Sequence, residues 1–244
     1  MRSLPYDTSA RLIDHLSHID LPDAPEAHIL QIGVTTSGGF VPRLLHIQSS
    51  PQMGRSVSRV LSDKFVETWT ASHGNVEVDH LDLVTDPLPH QGPDWLEGLV
   101  CPPEERTPEM VEALAISDRL IDQLEAADII VIGAPMINFT LCTQLKSWVD
   151  YVTVAGRTFE YFAPGQARGR LFGKKVFVIA ARGGDYSEPP VSAFDFQEPL
   201  LRILLGFLGL YDVTFIRAEG MRQRVDQIAD ITRAAESIIA QLAA

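Results

Sequence analysis

Apolar residues recur along most of the chain at two spacings, one typical of buried strands and the other of amphipathic helices. Residues 129–133 form a continuous apolar run, as expected of a central parallel strand that is covered on both faces. Residues 76–83 instead mix apolar and acidic side chains, which indicates a strand nearer the edge of the sheet. The strand patterns cover residues 44–47, 76–83, 129–133, 174–181 and 213–218.

Helical patterns lie between and after these strands. Thr107 and Pro108 are typical of a helix N-terminus, and Gly74 is typical of the residue just past a helix end. The regular alternation predicts an α/β fold, a doubly wound five-stranded parallel sheet with helices on both faces. The helical patterns cover residues 56–73, 107–126, 141–155, 196–209 and 225–242.

Two segments interrupt the alternation. Residues 86–103 are rich in proline and predict a long loop. Residues 1–40 do not follow the pattern and predict an N-terminal extension, flexible or packed as an arm over a partner subunit, ahead of a domain at residues 41–244. His15 and His18 lie three positions apart, but two histidines alone are a weak metal signal, so we expect no metal.

Composition and charge narrow the possible partners. Hydrophobic residues make up 45% of the chain, enough for a sizeable core. A net charge of −12 argues against nucleic acid and anionic membranes as partners. The two cysteines have no paired spacing, and the first residues lack the apolar core of a signal peptide, so we expect a cytoplasmic protein.

Three loops are candidates for a ligand site, because open parallel sheets bind ligands at the carboxyl ends of their strands. The loop after the first strand carries Ser50, Ser56 and Ser58 where a helix begins. A helix N-terminus offers free N–H groups and a positive dipole end, and serine hydroxyls add neutral donors, so the loop favours a phosphate. The alternative is ordinary helix capping, for which one serine suffices.

The loop after the third strand is apolar and contains a single amide, Asn138. Met136 and Phe139 can cover an aromatic face, although a hydrophobic turn packed on the next helix is an alternative. The loop after the fourth strand contains Gly183 and Gly184, which permit close approach of the backbone to a ligand or form a tight turn. Together the three loops predict a ligand with a phosphate at one end and a flat heteroaromatic ring at the other, which FMN fits.

Five stretches make the sequence similar to a known family. Over about residues 42–243 it resembles the FMN-dependent NADH:quinone oxidoreductases and FMN-dependent NADH-azoreductases. The resemblance implies a flavodoxin-like fold. The stretches are SSPQMGRSVSR (residues 49–59), APMINFTLCTQLKSWVDYV (134–152), AGRTFEY (155–161), ARGGDY (181–186) and LLGFLGLYDVTFIRAEG (204–220).

The resemblance implies tightly but noncovalently bound FMN and a homodimer with its flavin sites at the interface. It implies that Phe159 and Tyr161 line a substrate pocket facing the flavin of the partner. It also implies a phosphate-binding and a ring-binding set. The phosphate and ribityl set is Ser50, Ser56, Val57 and Ser58; the ring set is Pro135, Met136, Ile137, Asn138, Phe139, Ala181, Arg182, Gly183 and Gly184.

The implied reaction is ping-pong: NADH or NADPH gives two electrons to bound FMN and leaves, and a quinone or azo compound then accepts them. No catalytic side chain is expected, because the cofactor carries the chemistry. Alternatives are a non-enzymatic FMN electron carrier, a redox-sensing flavodoxin-like protein, or a reductase of another acceptor such as a nitroaromatic. The sequence departs from the family at Ile137, usually Tyr, at Cys142, usually Pro, and near Leu204, where an aromatic is common.

Overall fold

The computed structural model describes residues 41–243, and the predicted extension at residues 1–40 lies outside this range. The strands are β1 (Arg43–Gln48), β2 (Glu77–Asp82), β3 (Ile129–Ile137), β4 (Thr140–Leu141), β5 (Phe159–Ala163), β6 (Gln166–Gly169), β7 (Lys175–Ala181) and β8 (Asp212–Ala218). Five of them form a central parallel sheet in the order β2-β1-β3-β7-β8, which confirms the predicted doubly wound sheet. The shorter strands β4, β5 and β6 lie outside this order.

Helices begin and end where the sequence provides caps. Ser56 and Thr107 are N-caps whose side-chain oxygens accept hydrogen bonds from backbone N–H groups three residues later. Gly74 ends the first helix at φ 75°. The helices are α1 (Val57–His73), α2 (Pro93–Val100), α3 (Pro108–Ala126), α4 (Thr143–Val152), α5 (Gln197–Phe207) and α6 (Ile228–Leu242), with 3₁₀ turns at Pro103–Glu105, Val191–Phe194 and Val225–Gln227.

Two hydrophobic layers cover the two faces of the sheet. One layer packs α1 and α6 on the sheet, with Phe65 and Ile239 fully buried. The other layer packs α3, α4 and α5, with Leu120, Trp148 and Leu201 fully buried. Helices therefore lie on both faces, as predicted, and the covered strands are rigid supports for the loops at their ends.

The prediction of a long loop at residues 86–103 is wrong in part, because this segment contains α2. Pro93 lies in the first turn of α2, where a backbone N–H has no partner within the helix and its absence costs nothing. A proline-rich composition therefore did not exclude a helix. The indole N–H of Trp95 donates to the Ser117 hydroxyl at 2.9 Å, which attaches α2 to α3. A Cβ added to Gly98 would lie 3.0 Å from Leu114, so a glycine lets the two helices approach.

The structure corrects one predicted strand and adds a strand pair. The third strand does not end at residue 133 but continues to Ile137 and turns back as β4. The antiparallel pair of β5 and β6 was not predicted, since its short strands have no regular apolar period. Within residues 41–243, no helix is long and apolar enough to cross a membrane.

Candidate functional site

The three candidate loops meet at one edge of the sheet. Gln48 of β1 aligns with Gly133 of β3, and Pro135 of β3 aligns with Ala181 of β7. Because these strands are parallel, their following loops lie side by side. From β1 the chain crosses to β2 and from β3 it crosses to β7, on opposite sides, so this edge is the topological switch point of the sheet.

The loop between β1 and α1 holds a cluster of buried hydroxyls. Ser50, Ser56 and Ser58 are each at most 5% exposed. The hydroxyl oxygens of Ser56 and Ser58 are 3.1 Å apart, and Ser56 also accepts the Arg59 N–H as the N-cap of α1. The cluster combines three neutral hydroxyls with the positive end of a 17-residue helix, an arrangement that suits a phosphate.

A buried ion pair lies behind the hydroxyl cluster. Arg59 donates from Nε to the Ser50 carbonyl at 2.9 Å and from both terminal nitrogens to Asp82, each at 2.8 Å. These hydrogen bonds hold the pKa of Asp82 at about 2, below its usual 3.8. The guanidinium fixes the carbonyl of Ser50 and, since its charge is balanced by Asp82, adds little net charge to the loop.

A polar network is centred on His46 of β1, the strand that leads into the same loop. The His46 ring nitrogens lie 3.0 Å from the Ser62 hydroxyl and 3.2 Å from the ring of His80. Burial, helped by His80 and Arg59, lowers the pKa of His46 to about 3. His46 is therefore uncharged at neutral pH and acts as a packed hydrogen-bonding group.

The strand β3 leaves the sheet through a tight hairpin. Met136 pairs with Leu141 and Ile137 with Thr140, which leaves Asn138 and Phe139 as a two-residue turn. Both turn residues have left-handed backbones, at φ 46° and φ 71°, as in a type I′ turn. Asparagine tolerates this conformation, whereas a bulky phenylalanine is strained in it, and strain of this kind is concentrated at functional sites.

The hairpin tip is attached to the segment that follows β7. The Phe139 ring is half-exposed, with ring centroids 5.5 Å from Phe194 and 6.3 Å from Tyr186. The Phe139 carbonyl accepts the Phe196 N–H at 3.0 Å. Three aromatic rings therefore form one side of the site, and none of them is fully covered by this chain.

The loop after β7 is fixed by the segment that follows β8. The Arg182 N–H donates to Ala218 at 2.8 Å, and the carbonyls of Gly183 and Gly184 accept N–H groups of Arg222 and Gly220. The Arg182 side chain is only 2% exposed. Its backbone N–H and two of its three guanidinium nitrogens are therefore engaged within the chain, although the prediction placed it among ligand-binding residues. The third nitrogen, Nη2, is buried without a hydrogen-bond partner.

The two glycines of this loop have close neighbours in their own chain. A Cβ added to Gly183 would lie 3.2 Å from the Arg222 side chain, and one added to Gly184 would lie 3.1 Å from the Tyr186 ring. These contacts support the tight-turn interpretation, and the close approach of the loop to a ligand stays a prediction.

The structure does not bring Phe159 and Tyr161 to these loops within one chain. Phe159 is buried against Phe207, with ring centroids 4.6 Å apart, at the C-terminal end of α5. At the opposite end, α5 begins with Gln197, whose amide donates to the Ala134 carbonyl at the sheet edge that carries the three candidate loops. An 11-residue helix is about 16 Å long, so the β5–β6 hairpin lies toward the other edge of the sheet.

Comparisons with known proteins agree with this arrangement. A family model described as "Flavodoxin-like fold" matches residues 42–242. The FMN-dependent NADH:quinone oxidoreductase of Nostoc punctiforme is 42% identical over 202 residues, which are 81% of this chain and 98% of that protein. The chain belongs to this family.

Other family members are similar over the same range. The FMN-dependent NADH:quinone oxidoreductase of Azotobacter vinelandii is 44% identical, over 80% of this chain and 97% of that protein. The crystal structure of an azoreductase from Bacillus anthracis superposes with a TM-score of 0.78 at 29% identity, covering 83% of this chain and 99% of that one.

The three departures from the family pattern have different surroundings. Ile137 is exposed at the hairpin beside the aromatic rings. Cys142 is buried and donates from Sγ to the Ser49 carbonyl at 3.3 Å, as expected of a small core residue. Leu204 lines a groove between α2, α4 and α5 that lies outside the three loops.

Several residues at this edge escaped the sequence reasoning. Arg59, Asp195, Gln197 and Glu219 hold the predicted loops in place, but charged or amide residues on helices and turns are unremarkable in a sequence. Only their burial distinguishes them. Among residues 41–243 no group of three or more His, Cys, Asp or Glu could hold a metal, and His15 and His18 lie outside that range.

Proposed function

We propose that the protein is an FMN-dependent oxidoreductase that passes two electrons from NADH or NADPH to quinones and azo compounds. The observation that carries this proposal is the meeting of three loops at the switch point, with buried hydroxyls at one end and half-exposed aromatic rings at the other. The names of the relatives, which specify FMN, NADH and quinones, support the same conclusion.

The residues present fit FMN at its phosphate end. Ser50, Ser56 and Ser58 supply hydroxyl donors, and Val57 begins the helix whose first N–H groups have no partner within the helix. These groups bind a dianionic phosphate without a local excess of positive side chains. This suits an acidic protein, in which overall attraction for anions is absent.

The residues at the other end fit a flat ring. Pro135, Met136, Ile137, Asn138 and Phe139 follow β3 along one side of the site. Ala181, Arg182, Gly183 and Gly184 form the adjacent loop, and Arg182 contributes there by holding the loop rather than by touching the ring. Bound FMN supplies the two-electron chemistry, and the chain orients the ring and keeps water from one side of it.

We further propose a ping-pong reaction, because the aromatic side of the site offers one face on which donor and acceptor bind in turn. We propose that water supplies the proton for the acceptor, with the Tyr161 hydroxyl as the alternative donor. Steady-state NADH oxidation with benzoquinone tests this order. Parallel double-reciprocal lines are expected. Intersecting lines would show that donor and acceptor are bound at the same time, and would refute the ping-pong order.

We propose a homodimer in which Phe159 and Tyr161 complete the pocket of the partner. Two observations support it. Tyr161 is 67% exposed on a hairpin that leaves the central sheet. A groove of about 770 Å³ between α2, α4 and α5, lined in part by Trp95, Leu96 and Leu204, offers apolar surface for a second copy. Light scattering is expected to give a dimer mass, and a Leu96→Asp variant a monomer.

We also propose that residues 41–244 are the FMN-binding domain, that residues 1–40 are an extension to it, and that the protein is cytoplasmic. Both cysteines are free thiols, which suits a reducing compartment. Removal of residues 1–40 is expected to leave FMN affinity within about twofold of the full chain. A larger loss would assign the extension to the site.

A turnover assay distinguishes the enzyme proposal from the electron-carrier alternative. The enzyme proposal predicts continuous NADH or NADPH oxidation that requires both FMN and a quinone. A protein that binds FMN but does not oxidise either nucleotide in the presence of benzoquinone would instead be a carrier or a redox sensor.

A further inference from the structure

We propose that Arg182 and Gln197 form a positioning pair that fixes the two walls of the flavin ring site relative to each other. The walls are the β3–β4 hairpin and the loop after β7. The inference rests on the proposed FMN function and extends it to two residues, one of which, Gln197, lies outside every predicted site loop.

The first half of the pair is the buried guanidinium of Arg182. It donates from Nε to the Gln197 side-chain oxygen at 3.1 Å and from one terminal nitrogen to Glu219 at 2.9 Å. The same terminal nitrogen lies 2.8 Å from Asp195. Arg182 itself immediately precedes Gly183, so its side chain anchors the glycine loop from behind.

The second half of the pair is the amide of Gln197, which is fully buried. Its nitrogen donates to the carbonyl of Ala134 at 3.1 Å, immediately before Pro135. Its oxygen accepts from Arg182. One side chain therefore joins the start of the hairpin wall to the start of the glycine wall, using one donor and one acceptor.

A second connection runs in parallel through the aromatic segment. Glu219, which binds Arg182, also accepts the Tyr186 N–H at 3.3 Å. Asp195, at the start of α5, accepts the Gln197 N–H at 3.0 Å, next to the Phe196 N–H that binds Phe139. The pair thus holds both the backbone of the walls and the two turns that carry their rings.

The charges in this network balance, which allows Arg182 to remain buried. Its members are Arg182, Arg202, Arg217, Asp195, Glu198 and Glu219. A lysine at position 182 would keep the charge but not the planar fork that reaches Gln197 and two carboxylates at once. The network therefore requires arginine for its geometry and not only for its charge.

The consequence for FMN follows from preorganisation. A flat ring between two walls binds best when the walls are already spaced for it, since no free energy is then spent on ordering them. Loss of either member of the pair frees the walls to move while the phosphate end remains intact. Affinity and the environment of the ring should therefore change together.

The test uses the full chain with FMN and two variants, Gln197→Met and Arg182→Lys. One matched control is Gln123→Met, whose amide binds Asp79 away from the site. The other is Arg157→Lys, whose guanidinium also binds three carboxylates but lies outside this network; they are Asp118, Asp122 and Glu125 of α3. The measurements are FMN affinity by quenching of flavin fluorescence, the visible circular dichroism of bound FMN at saturation, and the far-ultraviolet melting curve.

Both pair variants are expected to lose about tenfold or more in FMN affinity, because small misplacements of a binding wall carry large penalties. Their bound FMN should also show altered visible circular dichroism, which a loss of stability alone would not produce. The controls should remain within about twofold in affinity with an unchanged spectrum.

Wild-type affinity and spectrum in the two folded pair variants would overturn the positioning role. If Arg182→Lys does not fold, Gln197→Met decides alone, since it is uncharged and similar in size. Failure of the wild-type chain to bind FMN at all would instead refute the proposed function, so the two failures are distinguishable.

Discussion

The two ends of the candidate site are built differently. At the phosphate end, buried serines lie in one loop and the helix it starts, so most contacts are close in sequence. At the proposed ring end, a half-exposed hairpin is held by Gln197, which lies 63 positions from its partner, and by Phe196, which lies a similar distance from its own partner. The first end is a rigid anchor, whereas the second depends on the tertiary structure around it.

The two ends also differ in backbone strain and charge. The phosphate end has an ordinary helix cap, backed by the Arg59–Asp82 ion pair. The ring end places Phe139 in a left-handed conformation and Arg182 among three carboxylates. Changes at the first end should affect stability most, and changes at the second should affect ligand geometry most.

The largest expected effect is at the phosphate end. Arg59→Met leaves the part-buried Asp82 without its partner and the Ser50 carbonyl without its donor, so the free energy of unfolding should fall by about 3 kcal/mol. Urea unfolding measures it. Arg43→Met, which removes an exposed pair with Glu77, is the control and should cost at most about 1 kcal/mol.

The second effect is a dependence of stability on pH. The pKa of His46 is lowered to about 3 in the fold from its ordinary value of 6.5, so the unfolded chain takes up the proton first as pH falls. Between these values stability falls with decreasing pH, by about 2 kcal/mol from pH 7 to pH 5 for this group. His46→Gln should show a correspondingly smaller loss over that interval; an equal loss would assign the dependence to other groups.

Asp82 also makes the protein less stable as pH falls, but at lower pH than His46. Its folded pKa is lowered to about 2 from 3.8, so the stability it provides is present above pH 4 and is lost as pH falls toward 2. Groups facing His46 from neighbouring elements are His80, Arg59, Asp82 and Asp63. The difference between wild type and His46→Gln should therefore be measured at pH 5 and above, where Asp82 stays ionised.

At the proposed ring end, two substitutions of Phe139 should distinguish the effect of backbone strain on stability from the effect of the ring on FMN binding. Phe139→Gly and Phe139→Ala both remove the ring and should weaken FMN binding. Glycine accepts φ 71° freely, so the Gly variant should be more stable than the Ala variant by about 1 kcal/mol in urea unfolding. Equal stabilities would contradict the assignment of strain to this residue.

The smallest expected effect on stability is at Gly183. A methyl group there meets only the flexible Arg222 side chain, so Gly183→Ala should change the free energy of unfolding by less than about 0.5 kcal/mol. FMN affinity should still fall, because in the proposed arrangement the backbone of this loop lies against the flavin ring. Unchanged affinity for both Gly183→Leu and Asn138→Trp would refute the placement of the ring between these loops.

The local structure of the proposed phosphate end could be predicted from the sequence, whereas its assignment to a phosphate stays a prediction. Apolar periodicity placed β1 and α1, and Ser56 is the N-cap that its position predicts. Such features depend on neighbours within a few residues, which a sequence displays directly. The alternation of strands and helices also predicted the doubly wound parallel sheet, whereas the strand order is known only from the structure.

The ring end was less predictable because tertiary contacts decide it. The two-residue turn at Asn138 and Phe139 was read as a longer loop, since phenylalanine is unusual at a left-handed position. Gln197 and Glu219 gave no local signal, because their role follows from burial beside strands far away in sequence. The helix α2 was missed because proline in a first turn looks like loop composition.

One measurement tests the central claim, that the loops at the switch point bind FMN for two-electron transfer. It is the anaerobic visible spectrum of the FMN-reconstituted protein before NADH, after NADH and after benzoquinone. Bleaching of the flavin band by NADH and its return with benzoquinone is the predicted result. A protein that retains no FMN, or whose bound FMN neither NADH nor NADPH bleaches, would contradict the claim.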